Sequence, residues 1–260
     1  MRVLGTVDKA LKLLDFFSER RPAIGLSEMA RLAGYDKATT RRLLLALERN
    51  GMVEQLLESR KYRLGVAPLR LARVRDATYP VADIVQPILR RLVEETGETA
   101  HFSLASGGAL ATIGLEESPR ASRVSLERGE VLPLHATASG IAYLAFSPAA
   151  VVEAVLAGPL QRHTEQTVTE PVRLRDALAR VRHEGLCRSD HGYETEVASV
   201  AAPVFDASDQ AQGAVAVATP SFRMTAETEA RIRISVRRAA VDLTRAFGAM
   251  PPPALLGEAA

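Results

Sequence analysis

Two stretches of this chain carry side chains whose type and spacing could do chemistry. The first is Lys37-Ala38-Thr39-Thr40-Arg41-Arg42. On a helix, at about 100° per residue, Thr40, Leu43, Leu44 and Leu47 share one side. Ala38, Thr39, Arg42 and Leu45 point the other way, with Arg41 flanking. Guanidinium groups in such a place pair with guanine or clamp phosphate. The Thr39 hydroxyl reaches base or phosphate, and the Ala38 methyl suits a thymine methyl. The second stretch is His135-Ala136-Thr137-Ala138-Ser139-Gly140. Small side chains just ahead of a helix leave backbone N–H groups free to hold an anionic group, with the Thr137 and Ser139 hydroxyls beside them. Each stretch also has a plainer reading: a helix with a solvated basic face, and an ordinary capped helix start.

Other chemistry is missing. No Gly-x-Ser-x-Gly elbow and no glycine-rich phosphate loop occurs. None of His101, His135, His163, His183 and His191 sits in a metal-binding spacing. Cys187, Asp190 and His191 are near neighbours, but three such residues read as polar surface before they read as a metal site. His135 reads as a hydrogen-bonded loop histidine. No enzyme, no cofactor and no metal is therefore expected. The single cysteine excludes an intrachain disulfide and fits a reducing compartment. No apolar run has membrane-spanning length, and none follows Met1, so the expected location is cytoplasmic.

The basic run needs a scaffold, and its neighbours supply one. Thr6–Phe17 predicts a helix with an apolar stripe of Val7, Ala10, Leu11, Leu14 and Phe17, capped by Thr6 or Asp8. A second short helix follows, capped by Ser27, with Met29, Ala30, Leu32 and Ala33 inward and Gly34 closing it. Asp36 caps a third helix over 37–50, which Asn50-Gly51 stops. Met52–Leu56 and Lys61–Leu64 then read as a hairpin around Glu58-Ser59-Arg60. The pattern is a helix-turn-helix followed by a wing, whose Arg60, Lys61 and Arg63 would lie along the DNA backbone or minor groove. Charge agrees. Residues 1–75 carry 16 Lys/Arg against 8 Asp/Glu, a net +8. The remainder carries 17 against 23, a net −6 within the overall +2. A basic end facing an acidic remainder suits a polyanionic partner. It also argues against an adaptor whose winged helix meets only proteins.

The remainder predicts an α+β domain of helices beside a mixed sheet. Asp83–Thr96 reads as an amphipathic helix, and Thr99–Ala105 and Ala109–Leu115 as strands joined at Gly107-Gly108. Val124–Leu126 reads as a short strand, and helices are expected around 139–147, 149–157 and 171–184. Val197–Val204 and Gly213–Ala218 read as buried strands, and 225–247 as a long helix. The domains expected are 1–65, a linker helix over 66–80, and 81–250. The tail 251–260, which opens on three prolines, is expected to be disordered.

The stretch Gly25–Gln55 and the wing after it resemble the N-terminal domain of the IclR family of bacterial transcription regulators. Arg42-Leu43-Leu44 and Tyr62-Arg63-Leu64-Gly65 carry the likeness. It continues through Leu132–Gly140, Ser199–Asp206 and Ala216–Pro220, which resemble the family's GAF-like effector-binding domain, and so covers nearly the whole chain. Two residues depart from the pattern: Ala38 stands where the family usually has Ser, and Ile141 where it usually has Lys. The resemblance implies a DNA-binding regulator, in all expectation a repressor, acting as a homodimer or homotetramer on a pseudopalindromic operator in double-stranded DNA. It implies DNA contacts from Lys37, Ala38, Thr39, Arg41, Arg42, Arg60, Lys61 and Arg63. It implies a small-molecule effector held by Ala138, Ser139, Ser189, Asp190, Ser199, Ala216 and Ala218. Members that bind small 2-oxo acids tend to carry hydroxyls where Ala216 and Ala218 stand, which points here to a larger, partly apolar or aromatic carboxylate. The alternative is a small-molecule-binding enzyme or carrier with a basic accessory domain, for which the sequence lacks a nucleophile or cofactor motif.

Overall fold

In the computed structural model, residues 5–18, 21–78 and 81–257 are described, with the side chains of 75–78 excepted. The chain divides into two compact units, Met1–Pro80 and Val81–Ala260.

The first unit holds α1 (Thr6–Lys12), α2 (Leu26–Ala33), α3 (Lys37–Arg49), β1 (Val53–Gln55), β2 (Tyr62–Leu64) and α4 (Val66–Thr78). Its core gathers Leu13, Ile24, Met29, Leu43, Leu44, Leu47, Val53 and Tyr62. The helix predicted over 6–17 stops at Lys12 and passes into a 3₁₀ turn at Leu14–Phe16. The predicted stripe is corrected with it. Val7 and Leu11 are 70% and 50% exposed, while Leu13, outside the stripe, is fully buried. Ala10, Leu14 and Phe17 of the stripe do pack against the core, so periodicity finds half of the face that is covered. Gly25, not Ser27, is the N-cap of α2. Gly34 takes the left-handed conformation (φ 69°) that turns α2 into α3. Ile24 and Tyr62 exchange backbone hydrogen bonds of 2.8 Å, which tie the turn before α2 to the wing.

The second unit holds α5 (Val81–Thr96), β3 (Thr99–Ser106), β4 (Ala109–Glu116), β5 (Val131–Leu132), α6 (Ala138–Ala145), α7 (Ala149–Ala157) and α8 (Pro171–Glu184). It continues with β6 (Cys187–Asp190), β7 (Val197–Phe205), β8 (Ala211–Pro220), α9 (Ala226–Ala246) and α10 (Pro253–Leu256). The sheet order is β5-β4-β3-β8-β7-β6, and every pairing is antiparallel. The expected mixed sheet is thus corrected to an antiparallel one. The apolar runs in β7 and β8 arise because helices cover both faces. Strand alternation sorts the two faces by size. Phe102, Leu104, Val200, Val204, Val215 and Val217 meet α5 and α9. Ala201, Ala214 and Ala216 meet α6 and α8.

Three further expectations are corrected. Val124–Leu126 forms no strand; the edge strand is β5, which pairs Val131 and Leu132 with Ala111 and Leu110. β6 was not predicted, because Cys-Arg-Ser-Asp at a sheet edge shows no apolar alternation. The tail is ordered through Gly257: Leu255 is 1% exposed in the core, and Arg237 donates to the Ala254 carbonyl. Three prolines in a row preclude a helix through them, but not the short one that starts at the third.

Candidate functional site

The first site is the outer face of α3. Asp36 caps this helix, and its Oδ1 accepts from the Thr39 backbone N–H at 2.8 Å. Its Oδ2 accepts the Thr39 hydroxyl proton at 2.7 Å. These bonds hold the Asp36 carboxyl below its ordinary range, so it is ionised. Thr40, Leu43, Leu44 and Leu47 are buried, which fixes the roll of the helix. Lys37, Ala38, Arg41 and Arg42 are therefore exposed together, with Thr39 half-buried beside them. In the wing, Arg60 and Lys61 are exposed at the turn, and Arg60 adopts a left-handed φ of 57°. The Gln55 side chain donates to the Arg60 carbonyl at 2.8 Å and holds that turn. Among the described residues no ion pair involves Lys37, Arg41, Arg42, Arg60 or Lys61. Arg63 differs. It faces Glu54 across the hairpin, and its Nε donates to Glu54 Oε1 at 2.6 Å.

The second site is a cavity of about 50 Å³ against the small-residue face of the sheet. Ser189 lies in register with Ser199, and Ser199 with Ala218, so these three form one row of its floor. Ala138 and Ser139, at the start of α6, close it from above. Thr137 caps that helix by accepting from the Gly140 N–H at 3.0 Å. Gly140 has no room for a side chain, since a Cβ would lie 2.5 Å from the Pro133 carbonyl oxygen. Val124, Leu126 and Leu132 line one side, and Gly192, Tyr193, Glu194 and Val197 the other. Burial raises the Tyr193 phenol and the Glu194 carboxyl above their ordinary values.

Five of the seven expected effector residues thus line this cavity: Ala138, Ser139, Ser189, Ser199 and Ala218. Two do not. Asp190 lies in an edge strand, where it pairs with Arg188 at 2.8 Å. Ala216 packs in the core beneath α6. The inference of a less polar pocket from Ala216 and Ala218 therefore rests on Ala218 alone. One important residue was missed. His101, on β3, is 4% exposed and lines the cavity, with its Nε2 3.1 Å from Ser139 Oγ. Burial pushes its imidazole down to about 4. A lone histidine in an apolar strand gives no periodic signal. His135 accepts or donates at Nε2 with the Gln161 carbonyl, 2.8 Å away; as a carbonyl only accepts, the ring donates. Among the described residues no group of His, Cys, Asp and Glu could hold a metal ion, and no helix is long and apolar enough to cross a membrane.

Residues 6–57 match the model of the IclR helix-turn-helix domain, and residues 77–245 that of the bacterial transcriptional regulator IclR C-terminal domain. The transcriptional repressor IclR of Escherichia coli K12 is 29% identical over 248 residues, which span 94% of this chain and 90% of that protein. A crystal structure of an IclR transcriptional regulator from Silicibacter sp. TM1040 superposes with a TM-score of 0.84 at 45% identity, over 96% of this chain and 99% of that one. An IclR homologue from Microbacterium hydrocarbonoxydans, solved in complex with 4-hydroxybenzoate, shares the fold with a TM-score of 0.74 at 23% identity, over 93% and 100% of the two chains. The chain belongs to the IclR family of bacterial transcriptional regulators, with the family's helix-turn-helix DNA-binding domain joined to its C-terminal domain.

Proposed function

We propose that this chain represses transcription by holding a pseudopalindromic operator as a homodimer or homotetramer, and that a small organic carboxylate in the cavity beneath α6 changes that grip. Residues 1–65 read the DNA, 66–80 link, and the second unit senses. The observation that carries the reading is the basic face at the start of α3, with no ion pair among the described residues, together with the exposed cations of the wing. Such a helix places its first turns at base edges while the wing meets phosphate. Self-association is supported by apolar residues the first unit leaves exposed: Val7 and Leu11 on α1, and Val66, Leu69, Leu71 and Val74 on α4.

The ligand class follows from the start of α6. The backbone N–H groups of Ala138 and Ser139 have no partner within the helix, and an anionic group suits that end of it. Apolar walls at Val124, Leu126, Leu132 and Val197 suit a carbon skeleton. At about 50 Å³ the cavity is smaller than a ~150 Å³ void that holds benzene. A short-chain acid fits as it stands, and an aromatic acid fits only if the walls part.

The test is a gel shift on the chain's own upstream DNA at two salt concentrations with non-specific competitor. Arg42→Ala is expected to weaken specific binding by about fivefold to a hundredfold while leaving the fold intact, since a bidentate contact to a base discriminates by roughly 1–3 kcal/mol. Ser139→Trp is expected to leave DNA binding in place and abolish the response to acids. Unchanged operator affinity in Arg42→Ala at matched salt would sink the recognition-helix assignment.

A further inference from the structure

His101 is the one histidine buried against the cavity, and its two ring nitrogens are in different situations. Nε2 lies 3.1 Å from Ser139 Oγ. Nδ1 is buried and has no hydrogen-bond partner among the described residues. A neutral imidazole carries one N–H donor and one acceptor nitrogen. Burial lowers the basicity of this ring, so at neutral pH it is the neutral form whose tautomer must be assigned. Two arrangements exist. If Nδ1 carries the proton, a buried N–H is left with nothing to donate to, the rarer and more costly kind of unsatisfied group. If Nε2 carries it, the ring donates to Ser139 Oγ and the unsatisfied group is only an acceptor lone pair. The second arrangement is favoured, and it has a consequence for Ser139. With its oxygen already accepting from His101, the serine keeps its own proton free. Among the described residues that hydroxyl has no acceptor, and Ser139 lines the cavity.

We propose that His101 is a positioning residue of the effector cavity: it holds Ser139 as a hydrogen-bond donor, so the cavity selects a ligand that presents an acceptor oxygen to the start of α6. The inference rests on the reading of this cavity as the effector site. Its chemical content is narrower. At the start of α6 the donors are the Ser139 hydroxyl and the backbone N–H groups of Ala138 and Ser139, on one short arc, and the Ser189 and Ser199 hydroxyls lie on the floor below. A carboxylate or a carbonyl oxygen meets such an arc; an ammonium or an amide N–H end does not. No lysine or arginine is among the described lining residues. The other titratable groups lining the cavity are Tyr193 and Glu194, on the side of Gly192 and Val197, and so a carboxylate is steered away from them and toward α6.

The test uses the full-length chain labelled with ¹⁵N-histidine, because ring tautomers are visible by NMR and not in coordinates. At pH 7 His101 is expected to be neutral and protonated at Nε2. Ser139→Ala is expected to shift that nitrogen and leave the other four histidines alone. An Nδ1–H tautomer overturns the proposal, since Ser139 would then donate to the ring and could only accept from a ligand. The second arm titrates the same sample with acetate and, separately, methylammonium, reading the Ser139 amide and the His101 ring. Acetate is expected to move both signals and methylammonium neither. His101→Leu is expected to weaken acetate about tenfold, the worth of one hydrogen bond to a charged group, and His101→Gln, which keeps a donor, to recover part of the loss. Preference for methylammonium overturns the proposal. A response to neither probe, with the Nε2–H tautomer intact, overturns instead the reading of this cavity as the effector site.

Discussion

Thr39 directs its hydroxyl proton at Asp36 Oδ2 over 2.7 Å, and an ionised carboxylate only accepts. The threonine is therefore left as an acceptor toward DNA. It suits an adenine N6 or cytosine N4 amino group and does not suit a phosphate oxygen. Thr39→Val is expected to lower operator affinity by about 0.5–1.5 kcal/mol at one base pair, the worth of a single hydrogen bond. Scanning the operator with purine at adenines and a pyrimidinone at cytosines, each lacking the amino group, should cost the parent that amount at one position and the variant nothing there; an equal effect in both proteins at every position would refute the contact. His101 gives a pH prediction of definite sign. Its folded value of about 4 lies below the ordinary 6.5, so between these two the unfolded chain binds the extra proton. Stability of the second unit is complete above about pH 6.5 and is lost as pH falls toward 4, by a few kcal/mol in all. His101→Asn should flatten that acid limb in thermal melts, and an unchanged limb would show that another group carries it. At this scale the roll of α3 was legible from four residues of one period. His101 was not, because a buried ring nitrogen leaves no trace in spacing.

Elements were legible where the sequence carries a pattern of its own and obscure where packing alone decides. α3 carries its cap, stripe and terminal asparagine in the sequence, α8 opens on Pro171 and closes on Gly185, and both have the expected bounds within a residue or two. β6 has no stripe, and α10 is too short for one, with only Pro253 at its start and Gly257 at its end. The first is held by its pairing with β7, and the second by the burial of Leu255. The start of α6 shows how an element is positioned for a task. Gly140 sits so close to Pro133 and Leu134 that a methyl group would lie 2.5–2.6 Å from their backbone atoms. Backbone cannot give way as a side-chain tip can, so α6 would have to lift from the strand that precedes it. Gly140→Ala is expected to destabilise the second unit by roughly 1–3 kcal/mol, as overpacking does. It should also weaken the acid response by moving Ala138 and Ser139. Circular-dichroism melts and calorimetry with pyruvate check the two halves, and parent-like results in both would show that the contact relaxes freely.

The whole molecule is two units with opposite charge, and the division follows the work each does. The stretch 1–75 carries a net +8 and the rest −6, so DNA attracts one end and repels the other. That bulk asymmetry was legible at once; which cations are free to meet phosphate was not, because ion pairing is a tertiary fact. Arg63 is engaged by Glu54 at 2.6 Å, whereas Arg60 and Lys61 are exposed and unpaired among the described residues. Each phosphate neutralised by a lysine or arginine adds about 0.9 to the slope of log K against log salt. The Arg60→Ala/Lys61→Ala pair is therefore expected to lower that slope by about 2 for each wing on the DNA. Arg63→Ala should change it by much less, since its charge is already balanced. The same number counts wings. A single copy on the operator predicts a loss of about 2, and a symmetric pair a loss of about 4. A double variant with the parent's slope would remove the wing from the interface altogether, leaving α3 to carry the binding alone.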